Sequence, residues 1–209
     1  MKPNEIAIPK KTVYMIGFVV FMALLILAVW LPLSRSGQYP NASNNVSNLV
    51  AGSPEKFALL SGQGGQRSVV SACGLQPASV ETMPDDARIQ GSCCSRMDLH
   101  KYQEQVDGMK KYAGISQIPD DPYDVPVSLA KQLFEYQRTI QLTPDQQAVY
   151  DQAMQMNNGH GPCCCKCWRW TAFEGQGKYL ISELGWSAEE VAAVWLLEDG
   201  CGGAGHEHA

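Results

Sequence analysis

The sequence has no basic stripe. Lys and Arg together number 16 against 21 Asp and Glu, for a net charge of -5. Up to Leu33 the charged residues are Lys2, Lys10, Lys11 and Glu5, so the rest of the chain carries 13 basic and 20 acidic residues. An acidic chain of this kind is a poor binder of the phosphate backbone, and nucleic acid is not an expected partner. There is no G-x-S-x-G, no H-E-x-x-H and no glycine-rich phosphate loop, and no nucleophile–base–acid arrangement stands out, so no catalytic residue is assigned. C-x-x-C-H is missing, so covalent c-type haem is not indicated. After Gly91 no strand alternation is visible, which argues against cupredoxin, thioredoxin and Rossmann folds and against the strand framework of a CuA-type copper site.

What is present begins with an apolar run. The 209 residues are enough for one compact domain with appendages, or two small domains. Val13 to Leu33 contains no charge over 21 residues, and about 20 apolar residues suffice for a helix to cross a bilayer. Lys10 and Lys11 precede the run and Arg35 alone follows closely, a bias that places the N-terminus in the cytoplasm and the remainder outside. The alternative is a cleaved signal peptide. Its apolar region would be unusually long, and no A-x-A site follows Trp30. The expected organisation is a cytoplasmic tail (1–12), a single-pass inner-membrane anchor (13–33), a polar linker and loop region (34–90), a helical cysteine-rich domain (91–200) and a Cys/His tail (201–209). The bulk of the protein is then extracytoplasmic, where thiols meet oxidising conditions.

The region 34–90 is rich in Ser, Asn, Gly, Gln and Pro and reads as linker, with short ordered pieces around Lys56–Leu60 and Ser68–Cys73. From Gly91 on, the pattern is helical. Leu99, Tyr102, Val106, Met109 and Tyr112 recur at steps of three and four, with Gly114 as a stop. Leu129, Leu133, Phe134 and Tyr136 mark a second helix, with Pro126 near its first turn. Thr143, Pro144 and Gln146 open a third with a capping box, and "NNG" closes it. "FEGQGKYLISELG" is a weaker candidate because Gly175 and Gly177 cost helix stability. Ser187 and Glu190 form a capping box for the last helix, with Trp186 and Val191 placed as a hydrophobic staple. The expected fold is an all-α bundle, its Met and aromatic stripes forming the core.

Eight cysteines are too many for a routine cytosolic chain of this length and too few for a pure disulfide scaffold. They fall at helix junctions: Cys93 and Cys94 before the first helix, Cys163, Cys164, Cys165 and Cys167 after the "NNG" stop, Cys201 after the last helix, and Cys73 by itself in the loop region. Buried structural thiols usually sit within an apolar stripe instead. An extended run would point Cys163, Cys165 and Cys167 one way, and a helical one would bring Cys163 and Cys164 against Cys167. Neighbouring cysteines rarely bridge each other, because a disulfide needs Cα atoms about 4.4–6.8 Å apart.

Three readings follow. In the first, Cys163, Cys164, Cys165 and Cys167, with Cys93 or Cys94 and a nitrogen from His160, bind a soft ion, copper(I) or zinc. Cys201, His206 and His208 form an auxiliary site in a glycine-rich tail. In the second, Cys164 and Cys167 act as a C-x-x-C oxidoreductase, with Lys166 and Arg169 lowering a thiol pKa, although four cysteines in five residues create that motif automatically. In the third, the cysteines staple an accessory or interaction subunit of a membrane complex. His100 is expected as an ordinary helix histidine. Trp168 and Trp170 are expected as packing anchors.

"PCCCKC", Pro162 to Cys167, resembles the P-C-Y-C-G-C motif that names a family of exported, often membrane-anchored bacterial proteins. Pro162, Cys163, Cys165 and Cys167 match. Cys164 stands in place of tyrosine and Lys166 in place of glycine. The resemblance covers these six residues and implies an exported, thiol-rich domain with Cys163, Cys165 and Cys167 on the motif sulfurs. The expected function is that of a membrane-anchored extracytoplasmic protein that binds a thiophilic metal for sequestration, transfer or sensing.

Overall fold

The computed structural model describes residues 46–62, 69–157 and 161–201. Among them the protein is mainly helical: α1 (Pro54–Leu60), α2 (Pro77–Glu81), α3 (Leu99–Met109, continued by a 3-10 turn Lys110–Tyr112), α4 (Val127–Thr139), α5 (Pro144–Met156), α6 (Trp168–Leu184) and α7 (Ala188–Leu197). The expected anchor, 13–33, lies outside the described residues, as do His160, His206 and His208. Among the described residues, no helix is long and apolar enough to cross a membrane.

Three very short strands, β1 (Val69–Val70), β2 (Arg88–Gln90) and β3 (Asp124–Pro126), form one sheet in that order. β1 runs parallel to β2, pairing Val69 with Ile89, and β2 runs antiparallel to β3, pairing Ile89 with Val125. Strands of two or three residues leave no alternation to read, which is why the sequence pattern missed them.

The helix ends follow the capping chemistry. Thr143 and Ser187 each close a capping box, with Gln146 and Glu190 respectively. α6 departs from expectation. It is the longest helix described, 17 residues starting at Trp168, and its glycines are sites of close packing. A Cβ on Gly175 would overlap the carbonyl oxygen of Leu133 in α4, and one on Gly177 would lie 2.5 Å from Cζ2 of Trp195 in α7. The helix-propensity cost of glycine, about 1 kcal/mol each, is offset by contacts that any larger residue would prevent.

The segment before Gly91, expected as linker and loop, supplies packed residues. Val46 and Leu60 are buried with Met97, Tyr102, Val106 and Tyr123, and Val80 and Ile89 with Val125, Leu133, Phe134, Trp168 and Ala172. Buried charges reinforce the join. Lys56 bonds Asp121 at 3.0 Å and Asp124 at 2.9 Å, Arg88 bonds Asp124 at 2.6 Å, and the Tyr102 hydroxyl donates to Asp121 at 2.7 Å. Arg88 and Lys56 hold the Asp124 carboxyl below its ordinary range, although burial works against them. A few well-spaced apolar and charged residues within polar sequence are enough to fix this segment to the helices.

A candidate metal centre of eight converging thiols

Four separate segments bring cysteines to one place: Cys73 after β1, Cys93 and Cys94 after β2, Cys163–Cys167 ahead of α6, and Cys201 after α7. Backbone bonds set the positions. Cys73 N–H donates to Cys93 O at 3.3 Å, Cys93 N–H to Gly200 O at 2.9 Å, Ser95 N–H to Cys201 O at 3.0 Å, and Trp168 N–H to Leu75 O at 2.8 Å. The segments are thus stitched together by main chain, independently of any bond between sulfurs.

The sulfurs themselves form a connected set. Sγ–Sγ distances are 2.8 Å for Cys73–Cys94, 3.4 Å for Cys94–Cys164, 2.8 Å for Cys164–Cys201, 3.5 Å for Cys93–Cys94 and 3.9 Å for Cys93–Cys201. Cys167 interacts with Cys163 and Cys93, Cys163 with Cys201, and Cys165 with Cys73. All eight thiols are therefore linked, and none is joined in a disulfide. Three groups have their sulfurs mutually within 4.8 Å: Cys73, Cys93, Cys94; Cys94, Cys164, Cys201; and Cys163, Cys164, Cys165. Cys73 and Cys164 are exposed, while Cys163, Cys167 and Cys201 are buried, so the cluster has a solvent rim and a buried floor.

The run 163–167 is neither extended nor helical. Cys163 turns in towards Cys167 and Cys201, and Cys164 outwards to Cys94 and Cys201. Cys167 is the N-cap of α6, where the unsatisfied backbone N–H groups and the helix dipole favour negative charge. The thiols of Cys163 and Cys93, and then the N–H groups of Arg169 and Trp170, hold Cys167 far below the usual thiol range as a thiolate. Its two partners keep their protons: interaction with Cys167 is the largest effect raising Cys93 to about 11 and Cys163 to about 12. Burial is the leading effect that raises Cys94 and Cys165. Cys201 is raised first by Cys163 and Cys93 and then by burial.

Beneath the floor lies Arg169, fully enclosed. It donates to Glu198 O at 3.1 Å and Pro122 O at 2.9 Å, and its Nε has no hydrogen-bond partner. Its guanidinium lies 4.8 Å from the Trp168 ring centre and 5.8 Å from that of Phe173. Burial disfavours its charge, but Cys93, Cys163 and Cys167, all ionised before Arg169 gives up its proton, more than compensate, with Glu198 the least of the four. At neutral pH the charged member of this set is the Cys167 thiolate. Burial also pushes the Glu198 carboxyl up to about 8, against the opposing pulls of Gln176 and Arg169, so at neutral pH this carboxyl is largely uncharged. The buried cation therefore has sulfur as its main counter-charge, and a buried charge left unpaired is costly. The Gln176 amide donates to both Glu198 oxygens, at 2.8 and 3.0 Å.

Of the residues singled out from sequence, Cys93, Cys94, Cys163, Cys164, Cys165, Cys167 and Cys201 all lie in the cluster, and Cys201 belongs to its body. Cys73 belongs with them. Its isolation in polar sequence gave it no place in the expected metal site, and the signal available was that it is the one remaining cysteine. Arg169, expected to lower one thiol pKa, is the counter-charge of the floor. Glu198 and Gln176 had no sequence signal. His100 is an exposed helix residue paired with Glu104 at 3.1 Å. Trp168 is buried as a packing anchor. Lys166 stacks over Trp170, 5.4 Å from the ring centre.

The described cysteine groups can hold a metal ion. No protein-family model matches this chain, and neither the curated proteins nor the solved structures provide a match. The likeness to the P-C-Y-C-G-C motif accordingly stands on Pro162, Cys163, Cys165 and Cys167 alone.

Proposed function

We propose that this protein binds a thiophilic metal through its cysteine cluster, with copper(I) as the best-suited ion and zinc as the second candidate. In this reading the 13–33 helix anchors it in the inner membrane with the domain outside. The protein sequesters or senses the metal, or transfers it to a partner in the membrane. The observation that carries the reading is the convergence of eight sulfurs from four segments over a buried guanidinium. Thiolates are soft ligands that select such ions, and the cation beneath them offsets the negative charge that thiolate ligation concentrates.

The oxidoreductase reading is weaker because Cys164 contacts Cys94 and Cys201, and the thiol held as thiolate, Cys167, is only 1% exposed. A substrate disulfide needs a reachable thiolate. The stapled reading removes thiolate charge and leaves Arg169 with a carboxyl that burial keeps largely neutral. Elemental analysis of the full chain, purified in detergent under reducing and anaerobic conditions, tests the proposal. At least one tightly held equivalent of copper(I) that resists a competing chelator is expected. Less than a tenth of an equivalent of any transition metal, with no uptake on titration, sinks it.

A further inference from the structure

We propose that seven of the eight sulfurs, all but that of Cys167, hold one polynuclear copper(I)–thiolate cluster, in which Cys94 and Cys164 each bridge two metal ions. This rests on the metal-binding reading above and extends it to how many ions bind and how they are joined.

The sulfurs group in threes, and the threes share corners. Cys94 belongs both to the group with Cys73 and Cys93 and to the group with Cys164 and Cys201; Cys164 belongs to that second group and to the group with Cys163 and Cys165. Three trigonal positions are thus strung through two common sulfurs. Cys167 lies against Cys163 at one end and Cys93 at the other, so it closes the string into a ring. Isolated ions would need separate ligand sets. Zinc in a structural site takes four ligands at about 2.3 Å in a tetrahedron, whose sulfurs would all lie about 3.8 Å apart. Among the described residues the mutually close groups contain three sulfurs each. Three-coordinate all-sulfur positions with shared thiolates suit a monovalent soft ion, whose low charge lets adjacent ions share one sulfur.

The chemistry balances without a redox partner. Each ligating thiol gives its proton to water as its sulfur bonds to copper, and copper stays in the +1 state throughout. Sulfurs outnumber ions, and the excess negative charge meets Arg169 at Cys93, Cys163 and Cys167 and solvent at the exposed Cys73 and Cys164.

Anaerobic titration of the full chain with copper(I) against a competing chelator, combined with X-ray absorption, tests the arrangement. The expected result is uptake of about three equivalents, one for each of the three sulfur groups, in a single cooperative phase, with all-sulfur coordination and a short copper–copper vector. One equivalent without that vector overturns the cluster and leaves the metal-binding reading standing. Two zinc ions bound in preference to copper, each with four sulfurs of its own, do the same. Uptake of no metal overturns both.

Cys164→Ser and Cys165→Ser separate bridge from terminal ligand. Loss of the Cys164 bridge is expected to remove about two equivalents, and loss of Cys165 at most one. Equal losses refute the bridging assignment. Cys164 is exposed, so its substitution leaves the packing intact, and circular dichroism of the metal-free variant verifies this. Cys94→Ser repeats the measurement at the other shared corner.

Discussion

Replacing Arg169 with methionine distinguishes a thiolate cluster from a disulfide knot by the sign of a free-energy change. Methionine keeps the apolar contact with Trp168 and Phe173 but removes the charge and the hydrogen bonds to Glu198 O and Pro122 O. If the floor sulfurs carry negative charge, the substitution strands a buried anion, and breaking a buried pair in this way costs about 3–5 kcal/mol. If the same sulfurs are paired as disulfides, they carry no charge. The substitution then relieves the desolvation of a cation that lacks a partner, and exchanging buried charge for packed apolar atoms is neutral or stabilising by about 1–4 kcal/mol. Urea unfolding of the metal-loaded full chain under anaerobic conditions is the assay. The expected outcome for Arg169→Met is a destabilisation of about 3 kcal/mol or more, accompanied by at least a tenfold loss of copper(I) affinity, since each tenfold corresponds to about 1.4 kcal/mol. Arg169→Lys, which keeps charge but loses the planar fork, should fall between. Wild-type stability and affinity in Arg169→Met would refute the assignment of Arg169 as the counter-charge.

Gly175→Ala places a methyl group against the Leu133 carbonyl oxygen and within 2.8 Å of Gln137 N; a loss of about 3 kcal/mol from overpacking should lower the thermal midpoint by roughly 6–12 °C. Glu198 supplies a pH test. Its folded pKa of about 8 lies above the ordinary 4.5, so its contribution is fully present below 4.5 and is lost as pH rises towards 8, by an amount on the order of 5 kcal/mol. Glu198→Gln in the reduced, metal-free protein should remove that part of the slope, and an unchanged slope would show that the carboxyl is ionised. Asp124 has the opposite sign. Its carboxyl is held below the ordinary 3.8, so the stability it provides is present above that pH and is lost as pH falls below it. Lys56→Met should raise the pH of acid unfolding and cost about 3–5 kcal/mol in neutral-pH denaturation, because two buried carboxylates lose a shared cation. In the reduced, metal-free chain, alkylation followed by peptide mapping should modify Cys73 and Cys164 first, and copper(I) should protect both; equal labelling of Cys163 and Cys201 would contradict the rim-and-floor arrangement.

The sequence by itself determined that the chain from Leu99 onwards is helical and where the capped helices start, because capping boxes and three-to-four spacing are local chemistry that acts before tertiary contacts form; the start of α6 at Trp168, which has no side-chain cap, was not among them. Thr143 with Gln146 and Ser187 with Glu190 were legible for that reason. It also placed the cysteines at helix junctions, so the existence of a thiol site was visible, and its shape was not. Tertiary structure decided the rest. Short strands carry no periodicity, and the packing of Leu60, Val80 and Ile89 depends on helices far along the chain. Gly175 and Gly177 look like weaknesses locally and become contact points only once α4 and α7 lie against α6. Cys73 joins the cluster through backbone pairing with Cys93, and Arg169 becomes the counter-charge only when Pro122 and Glu198 enclose it. The run "PCCCKC" held four sulfurs and no means of completing itself. Three other segments, brought together by the fold, supply the remaining sulfurs, and a buried cation offsets the negative charge they carry.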